Sequence, residues 1–423
     1  MFTKTTGEIY IMKKPSIILA FACIGVISLL ATSCGGASSS SDEANDSASV
    51  STEASTSETF TAAIPIALPA AQTGVITFAN ILDHISEIPM IAWQNTEDVI
   101  AASTVATPIE NNVLVGPNTQ IDVEGGLPRV QEVLLRSEKL WGGFSQVKKF
   151  YLLMYNAQDV SWAGQEWTKI GSQNKYFKND VEGSLERIAG NCQQTLSPGV
   201  FEGTPSNCRG ADSSAIANSD DAILSFGQGG EGASNDRMIT TGGIVGHEYG
   251  HSVQAAQWIG KPNTYCTEQT NSRNCNRSGQ ALDFAPCWLM EGQGNSVGWM
   301  SAAETFEKYQ ALIKDRPYSQ GPSTITDYTQ PSLRSYLFDQ VPGECTQNGD
   351  LYSLGYTVGA QVVEALTAIA GPQSTMALYA LGAQGQDFPT AFQSVYGISW
   401  DEASTILSKV VAAQYATFGS PPK

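Results

Sequence analysis

Apolar positions fall into three regimes along this 423-residue chain. They are nearly continuous from Ile17 to Leu30, almost vanish from Gly35 to Thr59, and from about 128 onward recur at the spacings of secondary structure. Val130, Val133, Leu134 and Leu140 stand among charges at helical intervals, which predicts a helix from Pro128 to Trp141, opened by the proline and closed by Gly142-Gly143. Lys149 to Tyr155 is an apolar and aromatic run of strand length, and Trp162 to Ile170 returns to a helical pattern. That order predicts an α/β lobe whose sheet is covered by helices. Asp221 to Phe226 is a second strand, ended by Gly227-Gln228-Gly229-Gly230. Beyond about 286 the pattern is helical: Trp288 to Ile313, Leu351 to Ile369, Ser374 to Leu381, Asp387 to Tyr396 and Trp400 to Phe418. Residues 61 to 125 mix short apolar runs, such as Gly74 to Phe78, with Pro and Asn breaks, and the pattern does not decide their structure. There is no internal repeat.

The first apolar run follows Lys13 and Lys14, the charged-then-apolar order of a secretory signal, and is too short for an ordinary spanning helix. It ends in Leu30-Ala31-Thr32-Ser33-Cys34, which resembles a bacterial lipobox in which Cys34 becomes the lipidated first residue; a plain secretory signal cut nearby is the alternative, and Met12 competes with Met1 as the start. Gly35 to Thr59 has Val50 as its only large apolar side chain, too little to offset conformational entropy, and reads as a flexible tether. The expected organisation is therefore a leader over 1–33, a Ser/Ala/acidic tether over 34–60, an N-terminal segment over 61–127 and the chemistry-bearing domain over 128–423. The expected location is the bacterial cell envelope, lipid-anchored and facing away from the cytoplasm.

The charge balance and the cysteines narrow the partners and the compartment. A formal charge of −18 argues against a nucleic-acid partner, which requires clustered Lys and Arg. Beyond Cys23 and Cys34 there remain Cys192, Cys208, Cys266, Cys275, Cys287 and Cys345, and an even number in an exported chain reads as disulfides. Cys192 with Cys208 and Cys266 with Cys275 are the local loops, leaving Cys287 with Cys345. The absence of C-x-x-C spacing ranks a structural zinc site on these cysteines low.

Chemistry concentrates in Gly246-His247-Glu248-Tyr249-Gly250-His251. On a helix His247 and His251 share one face, about 6 Å apart, so two imidazole nitrogens can reach one cation while Glu248 serves as a base. The chain holds only three histidines, and two occupy this motif; His84 sits in an undistinguished stretch suited to a surface or hydrogen-bonded role. Gly250 costs about 1 kcal/mol relative to Ala inside a helix, which predicts close approach by another element. A catalytic zinc takes three protein ligands. The metzincin pattern fails, because Gln257 stands where a third histidine would be and Gln254 where a glycine would be. A carboxylate is then the expected third ligand: Glu291 first, since it opens a helical stretch among apolar neighbours, with Glu268 and Asp283 behind it.

H-E-x-x-H followed by W-x-x-E-G, here Trp288 to Gly292, resembles the gluzincin clan of zinc metallopeptidases, the thermolysin-like group. The likeness extends from about Pro128 to the C-terminus, where Asp387 to Phe392 and Val395 to Ser399 are similar to a helical ending in such domains. It implies an α+β fold: a thermolysin-like zincin with a mixed-sheet N-terminal lobe, an active-site helix and a mainly helical C-terminal lobe. It further implies Zn2+ on His247, His251 and Glu291, Glu248 as catalytic base, and a peptide or protein substrate. Two departures stand out: Gly294 replaces the usual Ala of E-G-x-A, a mild change, and Asn295 replaces an Asp that orients a zinc-bound histidine, although its oxygen can still accept the imidazole N–H. The clan's oxyanion tyrosine, from a Y-x-x-G pattern, matches both Tyr352 and Tyr356; Leu366 and Gly371 fall at the clan's distances from Tyr356, which is therefore the expected one, a core aromatic on an apolar helix being its alternative. Its substrate-binding edge strand corresponds by position to Asp221–Phe226. The competing expectation is a tethered binding or adhesion lipoprotein on the same scaffold without catalysis, which would have no need of Glu248. Hydrolysis of another carbonyl compound is a third.

Overall fold

Strand β2 (Lys149–Tyr155) organises the sheet because both of its faces are buried. Phe150, Leu152 and Met154 enter the main core, while Leu153 and Tyr155 enter a second, smaller one, the period-two alternation of a pleated strand. Its neighbours are β1 (Glu110–Val115) and β4 (Asp221–Gly227), both parallel to it, and β3 (Ala211–Ala215) closes the sheet antiparallel to β4. In this computed structural model the described residues are 64–104, 109–172, 188, 190–192, 208–215, 220–261, 277–314, 328–340 and 349–418. All of them fall within the unit Glu58–Lys423.

One expectation is corrected here. Asp221–Phe226 is not an edge strand, since β4 pairs with β2 on one side and β3 on the other; the edge on its side of the sheet is Ala211–Ala215, and the opposite edge is β1. The reason is compositional: Ala222, Ile223, Leu224 and Phe226 are buried on both faces, as an interior strand requires, whereas the edge reads Ala-Asp-Ser-Ser-Ala.

Besides the single helical turn Arg237–Thr240, the helices among the described residues are, in chain order, α1 (Ile88–Ala102), α2 (Gly126–Leu140), α3 (Val160–Gly171), α4 (Gly243–Ala256), α5 (Arg277–Phe284), α6 (Cys287–Gln293), α7 (Trp299–Ala302), α8 (Phe306–Ile313), α9 (Gln330–Phe338), α10 (Gly349–Leu354), α11 (Ala360–Ala370), α12 (Pro372–Gly382), α13 (Phe388–Tyr396) and α14 (Trp400–Phe418). Together with the mixed sheet they make an α+β architecture. Val130, Val133 and Leu134 of α2 join the main core, and Val160, Ala163 and Trp167 of α3 join the other, so the sheet is covered on both sides. The segment the pattern left undecided is integral to the fold: β1 supplies a strand, and Asn95 of α1 donates from Nδ2 to the Thr367 carbonyl of α11 at 3.0 Å.

The stretch expected as one helix from Trp288 to Ile313 is three. After α6 the backbone takes a π-turn at Gly294–Gly298, continues as α7, and breaks at Ala303. Donors from α1 and α2 collect the carbonyls released there: Arg136 Nε at 2.7 Å from Ser301 O, Arg129 on Ala302 O, and Trp93 Nε1 at 2.9 Å from Ala303 O. Leu351 to Ile369 is likewise interrupted, by a π-turn at Gly355–Gly359.

Glycines set the helix crossings. A Cβ on Gly246 of α4 would overlap the Gly298 carbonyl and stand 2.6 Å from Ser301 Oγ; one on Gly292 of α6 would overlap the backbone of Gly359. The close approach expected at Gly250 is instead at Gly246, for a Cβ on Gly250 meets nothing within 4 Å. Gly246→Ala is therefore expected to destabilise the protein by about 1–3 kcal/mol, because a backbone carbonyl cannot yield as a side chain can. Gly250→Ala is expected to stabilise it, by up to about 1 kcal/mol. Urea unfolding of both variants checks the opposite signs; a destabilised Gly250→Ala refutes the open space beside that glycine.

Candidate metal centre

Helix α4 is buried at every position but one. His251 is the most accessible, at 19% of its side chain, and Glu248 keeps 8%, so the centre opens to solvent beside the second imidazole. One turn earlier His247 is buried, and its ring centroid lies 4.7 Å from that of His251. Glu291, on α6, is buried and points its Oε2 at both rings, 3.4 Å from each Nε2, while the two Nε2 atoms stand 3.0 Å apart. Three ligand atoms about 2.1 Å from a common tetrahedral ion would lie about 3.4 Å from one another, so this triangle has the size of a zinc-type site. All ligand atoms of the group fall within 4.8 Å of one another, and among the described residues no other His, Cys, Asp or Glu joins them.

Hydrogen bonding decides what the triangle can hold. His247 Nδ1 is 2.8 Å from Asn295 Oδ1, and Asn295 Nδ2 donates to the Tyr356 carbonyl at 3.0 Å, which orients that amide with its oxygen toward the ring. His251 Nδ1 is 2.9 Å from Gln254 Oε1, while Gln254 Nε2 donates to Met290 O at 3.1 Å and Gln293 Oε1 at 2.8 Å. These acceptors place a ring proton on Nδ1 of each histidine, so that with a cation bound both Nε2 atoms face it as lone pairs. Glu291 Oε2 is buried and receives no hydrogen bond. Three lone-pair atoms converge with no donor among them, and a cation satisfies all three.

The neighbourhood of His247 is tight. The Tyr356 ring stacks on it, centroids 5.7 Å apart and planes within 11°, and a Cβ on Gly294 would overlap its imidazole. The Gly294 departure is therefore not mild: alanine at this place collides with the ligand ring. Tyr356 donates its hydroxyl to Tyr352 at 2.5 Å, so the two tyrosines weighed against each other form one pair. Burial, then the charge of Glu291, pushes the Tyr356 hydroxyl well above the ordinary range, so it stays protonated as a donor. Glu248 is buried, and its charge is felt by both His251 and Tyr356.

The remaining candidates fall elsewhere. His84 is 3.0 Å from Glu87 near the start of α1. Asp283 lies on α5 and is not part of the ligand group. Cys192 and Cys208 are disulfide-bonded, and so is Cys287, to a partner outside the described residues. Glu268, the Cys266–Cys275 pairing, Cys345, the leader, Cys34 and the tether also lie outside them. Among the described residues no helix is long and apolar enough to cross a membrane. The role of Gln254 was missed from the sequence, where that residue served only to exclude the metzincin pattern, although a residue three after His251 shares its face on a helix. Gln293 carries no comparable signal. Comparison of the chain with protein-family models, with curated proteins and with solved structures gives no match, so these residues carry the functional reading alone.

Without metal, a proton takes the place of the cation. Burial works to lower the His251 imidazole, but the charge of Glu291, aided by Glu248 and by the Gln254 hydrogen bond, holds it at about 9, while against the effect of burial the charges of His251 and His247 pull the Glu291 carboxyl well below the usual carboxylate range. A raised histidine contributes stability that is full below its unfolded value of about 6.5 and is lost as pH rises through about 9. The melting temperature of the metal-free protein is therefore expected to fall between those limits. Metal uptake at pH 7 is expected to release about one proton, read by calorimetry in buffers of different ionisation enthalpy. Heats that do not depend on the buffer count against the protonated His251.

Proposed function

We propose that this chain is a zinc-dependent metallopeptidase of the gluzincin type, exported and tethered to the cell envelope through Cys34. The observation that supports it best is the convergence of the two Nε2 atoms and Oε2 of Glu291 within 3.4 Å of one another, with Glu248 on α4 one residue after His247. A site built only to hold a metal has no use for that second buried carboxylate. The Cys192–Cys208 disulfide and the bonded Cys287 favour an oxidising compartment outside the cytoplasm.

A divalent zinc held by His247, His251 and Glu291 supplies Lewis acidity for a substrate carbonyl and acidifies a water. Glu248 takes the proton of the attacking water and returns it to the departing amine nitrogen. The Tyr352–Tyr356 pair, whose Tyr356 ring stacks on His247, supplies one hydroxyl proton for the developing oxyanion while the other stays in the bond between them. Asn295 and Gln254 keep both ligand rings in the tautomer the metal needs. The edge strand β3 presents backbone groups to an extended peptide, and it packs against α4, which carries the histidines. This role passes from Asp221–Phe226 to Ala211–Ala215.

Glu248→Gln is expected to retain about one zinc per chain and to lose hydrolysis of denatured casein by about a thousandfold, the scale of a removed general base. His251→Ala is expected to lose the metal, and a chelator to abolish wild-type activity reversibly. A fully active Glu248→Gln protein would refute the proposed base, and a wild type that binds zinc without hydrolysing any peptide would favour the binding lipoprotein.

A further inference from the structure

Among the described residues Gln254 holds the outer nitrogen of the solvent-facing imidazole, and its own position is determined from further away. Its Nε2 donates to Met290 O, the carbonyl just before Glu291, and to Gln293 Oε1. Gln293 Nε2 in turn donates to Thr375 Oγ1 on α12 at 2.7 Å, and Thr375 donates to Pro372 O at 2.7 Å. Each amide is thus used at both ends, and reversing either would set two donors or two acceptors against each other. Gln254, Gln293 and Thr375 are all buried, so water does not substitute easily for a broken member.

We propose that Gln254 is a positioning residue for the metal centre, and that Gln293 and Thr375 complete a relay through which α12 fixes the ring and protonation site of His251. The inference rests on the metal reading above but not on the substrate. It differs from a merely structural role: a buried glutamine that only fills a hydrogen-bonding vacancy would alter stability, whereas a positioning residue alters metal affinity and the state of one particular histidine. The relay couples three elements, because His251 and Gln254 lie on α4, Gln293 ends the helix bearing Glu291, and Thr375 lies on α12. A shift of α12 would then reach the metal through one ligand and leave His247, held separately by Asn295, undisturbed.

The test uses the full chain, zinc as the probe, and Gln254→Met, which keeps length and volume but removes the acceptor. Zinc affinity is measured by competition with a chromophoric chelator, and the protonation of each ring by nitrogen–proton NMR of the zinc-loaded protein labelled at its three histidines. The wild type is expected to show Nδ1-protonated rings for both His247 and His251. Gln254→Met is expected to bind zinc ten- to a hundredfold more weakly, the scale seen when such orienting partners are removed, with only the His251 signals changed. Thr375→Val is expected to act in the same direction at roughly threefold, without lowering the melting temperature of the metal-free protein in proportion. Wild-type affinity together with unchanged His251 signals in Gln254→Met overturns the proposal. If Gln254→Met does not fold, Thr375→Val decides alone, unchanged affinity refuting the relay. A wild type that takes up no zinc removes the metal reading and this inference with it; a wild type that binds while Gln254→Met binds equally well removes only the inference.

Discussion

Three acceptor atoms brought together in a buried place repel one another, and the rest of the centre is arranged around that conflict. The proton of each imidazole is already committed outward, to Asn295 or to Gln254, and no donor reaches Glu291 Oε2. Only a positive charge relieves the three at once. A proton on His251 does so in the metal-free protein, and a divalent ion does so with a geometry the triangle already matches. Leaving such groups unpaired is costly, so the fold that assembles them must be stiff enough to resist their separation.

That stiffness comes from backbones in near contact. A Cβ on Gly298 would come within 2.7 Å of the His247 Cα, and one on Gly355 would stand 3.0 Å from the Glu291 Cβ. These glycines belong to the two π-turns, and the same turns carry Asn295 and Tyr356, the residues that grip His247 from two sides. π-turns embedded in longer helices are frequent at functional sites, where the extra residue per turn redirects a side chain that a regular helix would aim elsewhere. Here both are placed against the same imidazole.

Asn295 and Gln254 are neutral, so Glu291 and Glu248 are the carboxylates that oppose a divalent ion at this centre. On the proposed reading this leaves the metal more electrophilic than a carboxylate orienting His247 would, while the imidazole N–H bonds that hold the rings are retained. Positioning and charge are thereby set by different residues.

Much of this was legible in the chain itself. The helix bearing the histidines, strands β2 and β4, and most of the C-terminal helices follow from apolar periodicity, because their burial is one-sided or complete over consecutive residues. The pairing of His247 with His251 follows from helical geometry, and Glu291 from its apolar neighbourhood. Other features depend on contacts between distant segments, which local pattern does not encode. Glycine spacing on α4 could not say that Gly246 rather than Gly250 meets a neighbour, since that depends on where Gly298 comes to lie. The apolar run of Asp221–Phe226 suits an interior strand, but nothing local in the polar Ala211–Ala215 says that this segment would cover its free side. The role of Gln293 and the requirement for Gly294 arise only where α6 and its π-turn cross α4, for a side chain's partners are decided by what packs on it.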